Sequence, residues 1–138
     1  MSTFVDTVFL IAIMLRDDAR HARAVAWDKA LNGDCVTSEF ILLEFADALC
    51  APALRASTQE MIDRVRQDPD IEVVPASPEW IERGYQLYCT RPDKNWSLTD
   101  CISFEIMKDH GITDALTHDH HFEQAGFRAL LQHDPPSN

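Results

Sequence analysis

The sequence has 138 residues, of which 46% are hydrophobic and 25% are charged, so it predicts one globular domain over residues 1–138 with a core large enough to fold alone. Its 23 acidic residues against 12 lysines and arginines give a net charge of −11, which argues against a broad nucleic-acid-binding face but allows one bridged by metal ions. No run of about 18 apolar residues occurs, and no basic flank precedes the apolar segment 4–15, so we expect a cytoplasmic protein without a membrane span or signal peptide.

Short apolar strands alternate with amphipathic helices along the chain. We predict strands at 3–5, 35–37, 71–74, 115–117 and 127–131, and helices at 8–15, 17–31, 39–49, 58–66, 78–88 and 98–110. Ser38, Ser77 and Ser97 are predicted N-caps, and Ser57 with Glu60 matches a capping box that would begin a helix at Thr58. This alternation is typical of a parallel sheet covered by helices on both sides.

The cysteines are scattered and include no C-x-x-C pair. We therefore predict small core residues in a reducing compartment and no zinc knuckle or disulfide framework. The residues concerned are Cys35, Cys50, Cys89 and Cys101.

Acidic residues mark one edge of the predicted sheet. Asp6 follows the first strand, Asp119 follows the strand at 115–117, and Asp100 lies at the start of a helix. Glu44 interrupts an apolar helix that needs only to pack beside this edge. Four converging carboxylates could not all stay ionised without cations, and Mg²⁺ or Mn²⁺ prefers oxygen ligands. Such a pocket suits hydrolysis of a phosphodiester.

Each acid also has a simpler explanation when it is taken alone. Asp6 could cap the helix that follows it, and Glu44 could occupy a solvent-facing stripe. Asp100 lies three residues after Ser97, as in a capping box. Asp119 could be a turn residue, and Asp114 invites the same explanation.

The segment His118-Asp119-His120-His121 offers a rival interpretation as a transition-metal site. Adjacent histidines are expected to point in different directions, and no second ligand pair at zinc-site spacing occurs elsewhere, which weighs against this interpretation. We expect His121 to begin a short turn or helix in which Phe122 packs inward.

Together these residues resemble the PIN-domain ribonucleases, and among them the VapC-like toxins of bacterial toxin–antitoxin pairs. The resemblance spans nearly the whole chain and rests on FVDTVFL, SEFILLEFADAL, WSLTDCISFEIM and ALTHDHHFEQAGF, of which the last two are specific in this order and spacing. It implies an α/β fold, a three-layer α/β/α sandwich with a central parallel sheet of four to five strands. It also implies a metal-dependent endoribonuclease that inhibits translation as the toxin of such a pair.

Position by position, the resemblance implies a quartet of acids that holds one or two Mg²⁺ or Mn²⁺ ions and activates water without a protein nucleophile. Thr7 and Thr117 would position these acids or metal-bound water, and Val8 stands where the family commonly has Asn. The quartet is Asp6, Glu44, Asp100 and Asp119, with Asp114 close to the last of these.

The resemblance further implies contacts with RNA and with proteins. Nearby basic residues would contact an RNA substrate, whether tRNA, rRNA or mRNA, and Trp96 is more simply explained by core packing than by base stacking. A small VapB-like antitoxin would lay its C-terminal segment across the pocket, and the toxin would form a homodimer. The candidate RNA contacts are Arg16, Arg20, Arg23, Arg91 and Lys94.

Three other functions are compatible with parts of this pattern. A housekeeping RNA-processing PIN nuclease would have the same residues, and an adjacent antitoxin gene would distinguish the toxin. A catalytically inactive PIN scaffold is disfavoured by the intact acids. A phosphoacceptor receiver domain would need an acidic pair, a phosphoacceptor Asp and a Lys after particular strands, and the ends of the predicted strands supply none of these.

Overall fold

The computed structural model describes residues 2–137, in which five strands alternate with seven α-helices. The strands are β1 (Thr3–Val5), β2 (Cys35–Ser38), β3 (Ile71–Val74), β4 (Asp114–Leu116) and β5 (Arg128–Ala129). The α-helices are α1 (Thr7–Met14), α2 (His21–Ala30), α3 (Glu39–Ala48), α4 (Arg55–Gln67), α5 (Pro78–Thr90), α6 (Leu98–His110) and α7 (His120–Gln124). None of the helices described here is long and apolar enough to cross a membrane.

All neighbouring strands are parallel, in the order β3-β2-β1-β4-β5. Since parallel crossovers are right-handed, the connections towards β3 place α1 to α4 on one face, and those towards β5 place α5 to α7 on the other. The contacts agree, because α1 packs against α2, α3 and α4, whereas α6 packs against α5 and α7. The predicted α/β/α sandwich with a parallel sheet is confirmed, and the direction of winding reverses between β1 and β4.

The aromatic core fixes the position of α7 relative to α6. Phe104 and Phe122 are fully buried and meet edge to face at 5.0 Å, and Trp96 meets Phe104 in the same way at 5.1 Å. Such pairs each contribute about 0.5–1.5 kcal/mol beyond the burial of apolar area. The expected inward packing of Phe122 and the core position of Trp96 are thereby confirmed. Helix α7 is held against α6 as a result.

The predicted N-caps at Ser38, Ser77 and Ser97 are confirmed by hydrogen bonds from backbone N–H groups to their hydroxyls. The predicted helix start at Thr58 is wrong, because a 3-10 turn at Pro52–Leu54 leads directly into α4 at Arg55. Ser57 therefore lies inside the helix and caps nothing.

Two other predicted elements begin or end elsewhere. Helix α2 begins at His21 and not at Asp17, because the Asp18 carboxylate accepts a hydrogen bond from the Arg20 backbone N–H at 2.8 Å and forms a local turn. The last strand has two residues and continues as a 3-10 turn at Leu130–Gln132, so the predicted strand at 127–131 is too long.

The exposed surface includes two of the cysteines and one face of helix α5. Cys101 is buried, but Cys50 and Cys89 are exposed, so the prediction that the cysteines are core residues is wrong for these two. Helix α5 leaves Ile81, Tyr85 and Tyr88 about half exposed. Its inner face is set by Gly84, which is buried and lies against Ile102 of α6.

Candidate active site

The strands β1 and β4 end side by side where the winding of the sheet reverses, which is where parallel α/β proteins bind ligands. Val5 pairs with Leu116, and the next residues are Asp6 and Thr117. The Thr117 hydroxyl donates a 2.8 Å hydrogen bond to Asp6 Oδ2, and both side chains are buried. Asp6 is the N-cap residue of α1 but makes no capping hydrogen bond. The Asp6 carboxylate is thus buried where β1 and β4 end and does not cap the helix.

Glu44 reaches the same edge from α3. The Thr7 hydroxyl, at the first position of α1, donates a hydrogen bond to Glu44 Oε1. Because Thr7 directly follows Asp6, this hydrogen bond brings Glu44 close to Asp6, and the negative charge of Glu44 adds to the rise in the pKa of Asp6. The explanation that Glu44 only occupies a solvent-facing stripe is therefore wrong, because its side chain is partly buried and bonded to Thr7.

Asp100 takes part in the capping box of α6 and also faces the other acids. Its Oδ2 accepts the Ser97 backbone N–H at 3.2 Å, and Ser97 Oγ accepts the Asp100 N–H at 3.0 Å. The Asp100 side chain is only 14% exposed, and its Oδ2 lies 3.3 Å from His121 Nδ1. The capping explanation is correct, but it does not account for the position of the carboxylate beside the pocket.

Asp119 is the N-cap of α7, where Oδ1 accepts the His121 backbone N–H at 2.9 Å. The Asp119 backbone N–H donates to Thr117 Oγ1 at 3.0 Å. The Thr117 hydroxyl thus links the segment that carries Asp119 to the carboxylate of Asp6. The backbone and the hydroxyl together fix the end of β4 against the end of β1.

Asp114 lies at the opposite end of the same strand. It is the first residue of β4, pairs in register with Arg128, and lies 3.5 Å from the Arg128 guanidinium. Asp6 and Asp119 instead follow the carboxyl ends of β1 and β4, at the other end of these strands. Asp114 therefore does not share the position of Asp119.

The pocket concentrates negative charge that His121 offsets only in part, at Asp100. Burial raises the pKa of Asp6 to about 7, the Thr117 hydrogen bond lowers it only in part, and the charges of Asp100 and Glu44 raise it further. Burial is also the main cause that raises the pKa of Glu44 and of Asp100, and the charge of Asp119 adds to both. A group of oxygen ligands that repel one another in this way is the donor set that a hard divalent cation satisfies.

Of the basic residues predicted to contact RNA, Arg20 lies close enough to His118 to influence its charge. Its positive charge contributes, after burial, to lowering the pKa of His118, which lies between β4 and Asp119. Arg91 and Lys94 lie 3.0 and 4.0 Å from the carboxylate of Asp93. Arg16 is exposed, and Arg23 is paired with Asp134 at 2.9 Å.

In the sequence, the histidines of this segment suggest only a disfavoured transition-metal site, and the expectation that adjacent histidines point in different directions is wrong here. The rings of His120 and His121 lie 4.5 Å apart, and with Asp119 they bring three ligand atoms within 4.8 Å of one another. The clue available in the sequence is the spacing. Asp119 is the N-cap of α7 and the two histidines are its first residues, so all three lie at the start of one helix.

A parallel α/β sandwich whose carboxylates gather at the switch point is a class of fold suited to binding divalent cations there. The chain belongs to the PIN domain family, which matches residues 3–128.

Individual relatives were found by sequence and by structure. The chain is 29% identical over 134 residues to the 23S rRNA-specific endonuclease VapC20 of Mycobacterium tuberculosis, covering 90% of this chain and 94% of that protein. The crystal structure of that VapC20, described as a sarcin-ricin loop cleaving toxin, matches with a TM-score of 0.84 at 25% identity over 91% of this chain and 95% of that one. FitAcB of Neisseria gonorrhoeae has the same fold, with a TM-score of 0.67 at 20% identity over 94% and 96% of the two chains.

Proposed function

We propose that this protein is an endoribonuclease that uses Mg²⁺ or Mn²⁺ to hydrolyse RNA and acts as the toxin of a toxin–antitoxin pair. The observation that carries the proposal is the convergence of four carboxylates at the ends of β1 and β4, three of them with a raised pKa. Membership of the PIN family and the relationship to VapC20 support it. The proposed metal-binding and catalytic residues are Asp6, Glu44, Asp100 and Asp119.

In this proposal, two threonines orient the acids and the acids bind the metal. Thr117 holds the Asp6 carboxylate at 2.8 Å and the backbone of Asp119 at 3.0 Å, and Thr7 holds Glu44, so both hydroxyls orient acids and stay outside the reaction. One or two divalent ions bound by the acids would supply an activated water and offset charge on the scissile phosphate. The low exposure of Asp6 and Asp100 keeps bulk water from screening this charge.

We propose ribosomal RNA as the substrate class, because the similarity to a 23S rRNA-specific endonuclease extends over 90% of this chain. Arg20, whose charge acts on His118, is the residue that we propose contacts phosphates of the substrate. Cleavage of ribosomal RNA would inhibit translation, and it would place the protein in the cytoplasm.

Two protein partners belong to the proposal. A small VapB-like antitoxin with a basic segment would neutralise the acidic pocket, in keeping with the raised pKa values there. A second copy of the chain would cover the exposed face of α5, where Ile81, Tyr85 and Tyr88 are 46%, 51% and 48% exposed. Tyr85→Glu is expected to convert a dimer to a monomer in light scattering while the protein still cleaves RNA.

The proposed activity is tested by incubating purified protein with ribosomal RNA, a tRNA pool and an mRNA transcript in Mg²⁺ or Mn²⁺, followed by mapping of the cleaved ends. We expect discrete cuts in ribosomal RNA that vanish in EDTA and with Asp100→Asn. The matched control is Asp109→Asn, which changes an exposed acid on the same helix and is expected to leave cleavage intact.

Each other outcome would change a specific part of the proposal. Cuts confined to tRNA or mRNA would refute ribosomal RNA as the substrate. Cleavage that survives Asp100→Asn would refute the site, and no cleavage in either metal would favour a binding scaffold.

A further inference from the structure

His121 occupies the space between two of the acids. Its Nδ1 lies 3.3 Å from Asp100 Oδ2 and 3.3 Å from Asp119 Oδ1, and its side chain is only 19% exposed. Asp100 belongs to α6 and Asp119 to the start of α7, so one imidazole nitrogen faces carboxylates from two separate elements.

Two features of the fold hold the His121 ring in this position. The neighbouring Phe122 is fully buried and packs edge to face on Phe104 of α6, which holds α7 in place. The Asp119 carboxylate accepts the His121 backbone N–H at 2.9 Å, which fixes the turn on which the ring is mounted. The imidazole is therefore held at the pocket by packing and by a capping hydrogen bond.

The distances from His121 Nδ1 to the two carboxylate oxygens are close to those between neighbouring ligands of one ion. Neighbouring ligands of an octahedral ion with metal–ligand distances of about 2.1 Å are about 3 Å apart. Nδ1 lies 3.3 Å from each of the two carboxylate oxygens, so an ion bound by either carboxylate beside the ring would be within reach of this nitrogen.

We propose that His121 Nδ1 is a metal ligand alongside Asp100 and Asp119, and that this mixed nitrogen and oxygen site therefore binds Mn²⁺ in preference to Mg²⁺. Imidazole is a poor ligand for Mg²⁺, which prefers oxygen and water, whereas transition metals accept nitrogen readily. The inference rests on the proposed function, because it takes two of the proposed metal-binding acids as given.

His120 is not part of the proposed ligand set. Its Nδ1 lies 3.7 Å from Asp119 Oδ1, and its side chain is 68% exposed. Of the two histidines, only His121 is paired with both Asp100 and Asp119. His120 therefore provides a matched control, since His120→Asn makes the same chemical change one residue away on the same helix.

The test measures metal binding without RNA. Free Mn²⁺ is followed by electron paramagnetic resonance during titration of wild-type protein, His121→Asn and His120→Asn, and Mg²⁺ affinity is obtained by calorimetry. We expect His121→Asn to weaken Mn²⁺ binding by about 10- to 100-fold and to change Mg²⁺ binding much less, because asparagine still offers an oxygen. His120→Asn, which removes a ring that is near Asp119 but not paired with Asp100, should weaken Mn²⁺ binding much less than His121→Asn does. Pulsed resonance of the Mn²⁺ complex should show coupling to a histidine nitrogen that disappears in His121→Asn.

The outcomes that overturn the inference differ from those that overturn the proposed function. An equal loss of affinity for both metals would show that His121 only positions the carboxylates, and unchanged affinities or no nitrogen coupling would show that it is not a ligand. In either case the wild-type protein would still bind metal and cleave RNA. Wild-type protein that binds neither metal would instead overturn the proposed function.

Discussion

Replacing Asp6 with Asn should stabilise the metal-free protein while it removes a proposed metal ligand. Burial raises the pKa of Asp6 from 3.8 to about 7. The folded protein therefore holds this proton more tightly than the unfolded chain does. Stability contributed by the protonated form is complete below about pH 4 and is lost as the pH rises through about 7.

The magnitude follows from the size of this shift. The pKa rises by about three units, and each unit corresponds to about 1.36 kcal/mol. Asp6 therefore lowers the free energy of unfolding by about 4 kcal/mol at pH 8, by about 1.5 kcal/mol at pH 5 and by almost nothing at pH 3. Burying an asparagine amide also has a desolvation cost. We therefore expect Asp6→Asn to raise the free energy of unfolding by about 2–4 kcal/mol at pH 8 and by much less at pH 5.

The assay is urea unfolding in EDTA at several pH values between 5 and 8, for wild-type protein, Asp6→Asn and the exposed-site control Asp109→Asn. The difference between Asp6→Asn and wild type should grow with pH, and Asp109→Asn should show no such trend. A gain that is the same at pH 5 and pH 8, or a loss at pH 8, would refute the account of Asp6 as a buried, destabilised carboxyl. Saturating Mg²⁺ or Mn²⁺ should stabilise the wild type by about 2.7 kcal/mol at 100 times the dissociation constant and leave Asp6→Asn nearly unchanged.

Three further variants test other parts of the structure. Thr117→Val, which removes the hydrogen bonds to Asp6 and to the Asp119 backbone, should weaken metal binding about 10- to 100-fold in calorimetry. Thr7→Val should reduce RNA cleavage and leave the fold intact by circular dichroism, because it frees only Glu44. Gly84→Ala should lower the free energy of unfolding by about 1–3 kcal/mol in urea, since its Cβ would overlap Ile102 Cγ1.

Each of these has a result that would contradict it. Metal affinity unchanged by Thr117→Val would mean that the hydroxyl does not orient the acids. Full cleavage by Thr7→Val would remove Thr7 from the site. Wild-type stability of Gly84→Ala would mean that α5 and α6 can separate without cost.

The sequence alone predicts the sheet and most of the site, because strand ends are marked by short apolar runs followed by polar residues. Asp6 and Asp119 could be placed on one edge since each follows such a run, and the Ser97 capping box located the start of α6. The choice between Asp119 and Asp114 could not be made in this way. Both flank a strand of three residues, and only its register with β5 shows that Asp114 pairs with Arg128 at the far edge.

What the sequence does not reveal depends on tertiary packing. His121 reaches Asp100 across 21 positions only because Phe122 and Phe104 hold α7 against α6. The capping box at Ser57 failed for a local reason, since a 3-10 turn upstream continues into α4 without a break. The exposure of Cys50 and Cys89 likewise follows from how the helices pack, and it could not be predicted from the spacing of the cysteines.

The central claim is that acids at the carboxyl ends of β1 and β4 hold a divalent ion that cleaves RNA. The most direct test compares the rates at which wild-type protein, Asp119→Asn and Asp114→Asn cleave ribosomal RNA in Mn²⁺, with EDTA as the control. The two substitutions make the same change at opposite ends of one strand. We expect Asp119→Asn to lose about 100-fold in rate and Asp114→Asn to retain the wild-type rate. Equal losses in both variants, or cleavage by the wild type that persists in EDTA, would contradict the claim.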